Sequence, residues 1–388
     1  MTHTGKKVKE ARERTGLTRR QLAEHAGVPL DTLRKLEQGE HAGPRTETLL
    51  ALARTLRLPT MSLIVGPAEE DLPVETRERW APVRAALTRS SAHETADGPA
   101  TPEGVADVLA AAVPLYREHR FAELASVLPA LIRDTETLPD QGRGVRVRVL
   151  QLAAGALTHT RQFDLAESVI RRALAEDEDR FSASASANTL AWTLIRTERL
   201  DEALSLATRW ADDMEPRLSR ATAAELSTWG LLLLRASGAA ARNNQPGAAD
   251  HMLRLARSAA TAIGHEVSAE QQNVRTFGPT SVRMLSVEDA LLKDRPDTAL
   301  RLAENMPTHP VRPTRSVRNR HSLDVANAHA RLGHHTEAFG KLSEIQASSP
   351  EWFPHQTSAR HTLRLIIDGR HTLTPEIRHM AGTLGLDL

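Results

Sequence analysis

The sequence predicts an all-α protein in two parts: an N-terminal bundle of five short helices, followed by an α-solenoid of stacked helical hairpins. Three observations predict this class. Apolar residues recur at helical spacing along most of the 388 residues. A motif consisting of a helix, a polar turn and a second helix occurs six times, with its anchors from Phe121 to His335. The strand-like alternation in QGRGVRVRVL is short and falls where the repeat places a helix start.

Charge separates the two parts. The whole chain carries a net charge of +1, but residues 1–66 hold 12 Lys+Arg against 7 Asp+Glu. The remaining residues hold 38 against 42, so a basic N-terminal part precedes a mildly acidic one. A basic surface favours a polyanion as partner. Only 3% of the residues are aromatic, which disfavours stacking on single-stranded bases.

Composition also excludes several kinds of site. The chain has no cysteine, which excludes disulfides and thiolate ligands. Its 17 histidines include no HExxH pair and no phosphate-binding glycine loop is visible, so we expect no metal, no cofactor and no enzyme activity. The best apolar run, 231–234, ends at Arg235, far short of the roughly 20 residues of a membrane span. Nothing resembles a signal peptide, and we expect a cytoplasmic protein.

The N-terminal part contains the start and stop signals of short helices. Thr18 and Gln21 fit a capping box at the start of the second helix, and Gly27 fits its end. Pro29 suits the first turn of the third helix, which Gly39 ends. The predicted helices span about 5–14, 18–26, 29–38 and 46–56, with a short fifth in LPTMSLIVG.

A helix, a three-residue turn and a second helix place that second helix in the major groove of DNA. The stretches TRRQLAEHAGVPLDTLRKLEQG and RTETLLALARTLRLPTMSLI resemble the Xre-type, lambda-repressor-like helix-turn-helix domain. The shared features are the Leu-Ala of helix two, the turn glycine, the Leu-Glu-x-Gly that closes helix three and the Leu-Ala-x-x-Leu of helix four. We assign residues 1–66 to this domain.

The resemblance implies roles for individual residues. It places base-reading side chains at Leu30, Asp31, Arg34 and Lys35. It places phosphate contacts at Thr18, Arg19, Gln21 and Arg45. It also implies an ion pair between Arg12 and Glu37. Pro29 and Leu30 depart from the polar residues that are usual in the family, although Leu30 suits contact with a thymine methyl group. The alternative is that this face of helix three is only solvated.

Beyond the first domain, a linker precedes an array of repeats. Residues 67–101 are rich in Pro, Gly, Ser and charge around a weak helix at about 76–87, which predicts the linker. Residues 102–388 contain the repeated motif. The anchors of its copies lie 42, 37, 46, 50 and 39 residues apart, the range of stacked helical hairpins. These anchors are Phe121, Phe163, Leu200, Pro246, Pro296 and His335. The copies resemble tetratricopeptide repeats, best in NTLAWTLIRTERLDEALSLA, which implies a right-handed superhelix with a concave groove.

Polar residues on the first helix of each hairpin are predicted to line that groove and bind an effector. An amide donates and accepts at once and suits a peptide backbone, whereas a guanidinium group holds a carboxylate by two hydrogen bonds. The predicted groove residues are Arg117, Arg148, Gln151, Asn188, Trp192, Arg196, Arg242, Glu288, Asn327 and Arg331, together with Tyr116, His159 and Arg320. The alternative is a solvated helix face in which Trp192 serves only in packing.

The two parts together resemble the RRNPP peptide-pheromone receptor regulators of Gram-positive bacteria. This implies a quorum-sensing transcriptional regulator that binds double-stranded DNA at a palindromic operator as a homodimer, with a signalling peptide on its repeats. The composition of 44 Arg against 6 Lys is typical of a high-GC genome, where the effector need not be a peptide and a small molecule stays open. An alternative is that the repeats bind a partner protein rather than a free ligand. A third is an enzyme with an appended DNA-binding domain, for which no site is visible.

Overall fold

The computed structural model describes residues 3–39, 46–56, 58, 74–88, 100–268, 275–307, 311–370, 372–386 and 388. Most of these residues lie in α-helices, which confirms the all-α class. The helices of residues 3–58, the head, enclose a core of their own, and those of residues 74–388, the body, enclose others. None of the described helices is both long enough and apolar enough to cross a membrane.

Four described helices build the head. They are α1 (His3–Arg14), α2 (Arg19–Ala26), α3 (Leu30–Gln38) and α4 (Thr46–Leu56). Val8, Leu22, Leu33 and Leu52 have no exposed surface and form the core between them. These are apolar positions at helical spacing, which is the pattern that predicted the helices. The fifth helix predicted in LPTMSLIVG lies, apart from Leu58, outside the described residues.

The body begins with α5 (Val74–Thr88) and continues as six hairpins. The hairpins are α6 (Pro102–Arg117) with α7 (Phe121–Glu136), α8 (Arg143–His159) with α9 (Phe163–Glu176), α10 (Arg180–Arg196) with α11 (Leu200–Asp213), α12 (Ala223–Arg242) with α13 (Pro246–Ile263), α14 (Pro279–Leu292) with α15 (Pro296–Glu304), and α16 (Arg315–Arg331) with α17 (His335–Ser348). Then follow α18 (Thr357–Asp368) and α19 (Pro375–Thr383). Single 3-10 turns lie at Asp140–Gly142 and Phe353–His355.

The turn within each hairpin has one conformation. Every anchor predicted from the sequence is the first residue of the second helix of its hairpin. Two residues earlier the backbone is left-handed in all six turns, with φ between 53° and 81°. The next amide then closes a Schellman turn, as from Arg199 N to Leu194 O at 2.9 Å. Gly333 occupies the left-handed position in the last hairpin. In the other five it is occupied by non-glycine residues, for which this conformation costs about 1–2 kcal/mol: His119, Arg161, Glu198, Asn244 and Asp294.

The segment predicted as a linker, residues 67–101, is helical and packed in its middle. α5 lies within it, and its Trp80 and Val83 are buried in the main core of the body, where α5 contacts α7. The Pro, Gly and Ser residues that predicted the linker mostly flank this helix, although Pro82 lies inside it. The packed body therefore begins by residue 74 instead of residue 102, which corrects the predicted boundary.

A short antiparallel hairpin, not predicted from the sequence, is inserted between α13 and α14. Its strands are β1 (Val267–Ser268) and β2 (Thr276–Phe277). Two-residue strands are too short to show a period-two pattern, but the insertion explains why the step between the anchors Pro246 and Pro296 is the longest, 50 residues. The buried Phe277 ring packs against Gly230 of α12, where an added Cβ would lie 2.0 Å from the ring. The inserted hairpin is therefore held tightly on α12.

Candidate DNA-binding surface and effector cavity

The turn between α2 and α3 fixes the orientation of α3. Thr18 caps α2, because its Oγ1 accepts a hydrogen bond from Gln21 N at 3.2 Å while Gln21 Oε1 accepts one from Thr18 N at 2.9 Å. Gly27 ends α2 with a φ of 63°, a conformation that glycine adopts without strain. Pro29 immediately precedes α3, so this helix begins at Leu30, one residue later than predicted.

One face of α3 is buried and the other is exposed. Leu33 and Leu36 pack into the core of the head and hold the helix in place. The predicted base-reading side chains share the exposed face: Leu30, Asp31, Arg34 and Lys35. Asp31 Oδ1 lies 3.7 Å from Arg34 Nη1, which is a weak ion pair in water. The structure thus leaves this face available to a partner.

A buried carboxylate ties α3 to α1 and α2. Arg12 Nε donates to Glu37 Oε1 at 2.7 Å, and Arg19 Nε donates to Glu37 Oε2 at 2.6 Å. Burial favours a higher pKa for Glu37, which is only 2% exposed, but hydrogen bonds from the two guanidinium groups hold this pKa below its usual value. The structure therefore contains the predicted pair of Arg12 with Glu37 and adds Arg19 to it.

The residues predicted to contact phosphates are mostly engaged within the head. Thr18 and Gln21 are exposed and hydrogen-bond each other. The Arg19 side chain is 42% exposed, and its Nε is bound to Glu37. Its terminal nitrogens donate to no other described residue, so Arg19 could bind Glu37 and a phosphate together. Arg45 lies outside the described residues.

The first helices of the six hairpins line a cavity of about 210 Å³ in the body. Its wall comes from α6, α8, α10, α12, α14 and α16, together with Arg275 and Thr276 at the inserted hairpin. The predicted groove residues that line it are Tyr116, Gln151, His159, Trp192, Glu288 and Arg320. Two more hold the wall in place, because Asn188 binds Arg235 and Arg242 binds Glu288. The structure thus brings eight of the predicted residues together at one site.

Rings form part of this wall. The centroid of the His159 ring lies 4.7 Å from that of Trp192, edge to face. Trp352 Nε1 donates to His159 Nδ1 at 3.0 Å, so the neutral imidazole carries its proton on Nε2, which lies 3.4 Å from Ser316 Oγ. Burial and the neighbouring His119 hold the pKa of His159 well below its usual value. Both nitrogens of this ring are therefore engaged in the uncharged state.

Guanidinium groups form the polar part of the wall. Arg235 Nε donates to Asn188 Oδ1 at 2.9 Å, and Arg275 Nη1 donates to the same oxygen at 3.3 Å. The Arg275 guanidinium group also lies over the Trp192 ring, with its Cζ 5.9 Å from the centroid. Arg320 completes the set. Burial lowers the pKa of all three arginines.

The other predicted groove residues do not line the cavity: Arg117, Arg148, Arg196, Asn327 and Arg331. Arg117 is exposed on α6. Asn327 Nδ2 donates to Thr362 Oγ1 at 3.1 Å, and Arg331 Nη1 donates to Leu291 O at 3.0 Å, so both join neighbouring helices. The prediction assumed an open groove along each first helix. Only a narrow strip of each helix faces the cavity, so this part of the prediction is corrected.

Several lining residues were missed by the sequence analysis. The sequence showed Arg235 only as the end of an apolar run. A charged residue beside four leucines inside a repeat helix is the pattern that could have identified it as a lining residue. Arg275 belongs to the inserted hairpin, where the repeat gives no register. His321 and Asp324 follow Arg320 on α16 and line the cavity with it.

Known proteins match the chain in two comparisons, one confined to its N-terminal part and one covering most of it. Residues 5–61 match a family model described as a helix-turn-helix domain. No curated protein matches the chain. Among solved structures, the chain is similar to Bacillus thuringiensis PlcR in complex with the peptide PapR7 and DNA, with 12% identity and a TM-score of 0.38 over 78% of this chain and 95% of that chain. Residues 5–61 of the protein are therefore a helix-turn-helix domain.

Proposed function

We propose that the protein is a DNA-binding transcriptional regulator whose body binds an effector and thereby controls the head. α3 enters the major groove, where its exposed side chains read base edges. A homodimer presents two heads to a palindromic operator, because one head alone supplies few base contacts. The role is regulatory, not catalytic, and the protein acts in the cytoplasm.

The contact between the head and two turns of the body carries this proposal. Lys7 Nζ of α1 lies 3.4 Å from Glu198 Oε2, in the turn after α10. Asn244 Nδ2, in the turn after α12, donates to Leu58 O of the head. Glu198 and Asn244 are both held in the left-handed conformation. These two side-chain contacts support a role for the two turns as docking points of the head.

The two docking points lie at the ends of helices that line the cavity. α10 carries Trp192 and ends two residues before Glu198, while α12 carries Arg235 and ends two residues before Asn244. A ligand that shifts either helix therefore moves a contact of the head. The head then has two positions on the body, with and without the ligand. The ligand changes DNA affinity only as far as its own affinities for these two positions differ.

The concave shape and small volume of the cavity favour a free ligand over a partner protein. Its volume of about 210 Å³ lies below the roughly 300–1,000 Å³ of usual ligand pockets. A cavity of this size holds a small molecule or one end of a short peptide. A partner protein would need an exposed surface instead.

Selection of genomic fragments by the purified full-length protein tests the proposal. We expect a few fragments to be enriched over bulk competitor DNA, with half-sites about 34 Å apart or a multiple of this distance. The Arg34→Ala, Lys35→Ala double variant is the control and should lose the enrichment. Equal recovery of all fragments by the wild-type protein would contradict the proposal.

A further inference from the structure

The cavity contains more positive than negative charge. Arg242 pairs with Glu288 at its edge. Three other guanidinium groups face the cavity, none of them within salt-bridge distance of a carboxylate among the described residues: Arg235, Arg275 and Arg320. Asp324 is the second acidic residue of the wall. Four guanidinium groups and two carboxyl groups leave an excess of at least two positive charges.

Two of these arginines, Arg235 and Arg275, donate to neutral acceptors. Asn188 Oδ1 accepts hydrogen bonds from Arg235 and Arg275, and Thr189 Oγ1 accepts one from Arg275 Nη2 at 3.2 Å. Arg320 donates no hydrogen bond to another described residue. A neutral oxygen offsets less of the cost of burying a cation than a carboxylate does. The cavity therefore presents three half-buried guanidinium groups whose charge a bound anion would complement.

We propose that the effector of this cavity carries a carboxylate, which Arg235, Arg275 and Arg320 bind. This inference rests on the function proposed above and names the chemistry of the ligand. A guanidinium group binds a carboxylate through two parallel hydrogen bonds, and the other two add charge-assisted ones.

Asp324 competes little with such a ligand. Burial and the nearby Glu288 raise the pKa of Asp324 well above its usual value, which favours the neutral carboxylic acid. Glu288 is already bound to Arg242. Neither acidic residue of the wall therefore takes the place of an incoming carboxylate.

The apolar part of the wall favours an acid that carries a hydrocarbon chain or ring. Leu231, Leu234, Met284 and Leu285 line the cavity, and Trp192 presents its ring beside Arg275. An acid with an aliphatic chain or an aromatic ring complements both the arginines and the apolar side chains of the wall. Such a carboxylate belongs either to a small organic acid or to the C-terminus of a peptide.

Thermal shift and calorimetry on the full-length protein test this proposal with matched probes. The probes are octanoate with octanamide, 3-phenylpropanoate with its amide, and random hexapeptides with free or amidated C-termini. We expect at least one acid to raise Tm and its amide to bind about tenfold more weakly or worse, because the amide lacks charge-assisted hydrogen bonds. A response to the first two acids identifies a small acid, and a response only to free peptides identifies a peptide C-terminus. Absence of binding by every acid, or equal binding of acid and amide, would overturn the proposal.

Two cavity variants and a surface control sharpen the test. Arg320→Gln and Arg275→Gln should each weaken binding of the effective acid about tenfold or more. Because Arg320 donates no hydrogen bond to another described residue, we expect its substitution to leave the fold intact. Arg117→Gln, exposed on α6, should bind like the wild type. Wild-type affinity in both cavity variants would refute the carboxylate site. Fragment selection uses none of these probes, so the regulatory function and the carboxylate proposal fail separately.

Discussion

At the scale of single residues, the head depends on one buried charge cluster. Glu37→Gln would remove the buried carboxylate that binds the guanidinium group of Arg12, a residue only 8% exposed, and leave it only the exposed carboxylate of Glu13 at 3.3 Å. Removing one partner of a buried ion pair costs about 3–5 kcal/mol, so the head should unfold at a much lower temperature in calorimetry of the full chain. Asp31→Asn, which removes an exposed carboxylate 3.7 Å from Arg34, is the matched control and should change little.

The same cluster makes the stability of the head depend on pH. The pKa of Glu37 is lower in the folded head than its ordinary value of 4.5. Its stabilisation is therefore fully present above about pH 4.5 and is lost as pH falls through the lower, folded pKa. Thermal unfolding from about pH 6 to about pH 3 should show this loss in the wild type and less of it in Glu37→Gln. An equal acid dependence in both proteins would argue against the cluster as its source.

The exposed face of α3 gives a second prediction at this scale. Lys35→Ala should weaken binding to a selected fragment by about 1–3 kcal/mol if the lysine contacts a base, as measured by fluorescence anisotropy. Lys341→Ala, exposed on α17, is the control and should bind like the wild type. A uniform loss on selected and random DNA would assign Lys35 to a phosphate instead.

At the scale of elements, the inserted hairpin depends on a glycine of α12. Alanine at Gly230 would raise helix propensity, but its Cβ would lie 2.0 Å from the buried Phe277 ring. Overpacking of this kind costs about 1–3 kcal/mol, so Gly230→Ala should lower Tm and displace Arg275 from the cavity. Gly340→Ala in α17, where nothing lies within 4 Å of the new Cβ, is the control and should raise Tm slightly. A Tm for Gly230→Ala at or above the wild-type value would contradict this packing.

How much the sequence reveals differs between these elements. The start of every second helix was predictable, because a polar turn of one backbone conformation recurs at each hairpin. In all hairpins but the first, an alanine also follows three residues after the anchor. The exposed face of α3 was predictable because it follows from local spacing around Leu33 and Leu36. The cavity was predictable only in part. Arg275 belongs to an inserted hairpin whose sequence has no periodicity. Packing between helices far apart in sequence decides which strip of each helix faces the cavity.

At the scale of the whole molecule, the head rests on turns that terminate two helices of the cavity wall. Glu198 and Asn244 accept a left-handed backbone that glycine would adopt more easily, and each gains a side-chain contact with the head. Asp294 holds the equivalent position in the fifth hairpin, but it pairs with Arg331 within the body. In these three turns, the left-handed residue therefore has a side chain that binds a different partner in each hairpin.

The most direct test of this coupling is the affinity of the full-length protein for a selected genomic fragment after both docking side chains are removed. Glu198→Gly with Asn244→Gly deletes the two contacts and keeps the turn conformation, whereas Asp294→Gly makes the same change away from the head. We expect the double variant to bind about 5–150-fold more weakly, as for a coupling of about 1–3 kcal/mol, with an unchanged salt slope, and the Asp294→Gly control to bind like the wild type. Wild-type affinity in the double variant would show that the body does not set the position of the head, and would contradict the account.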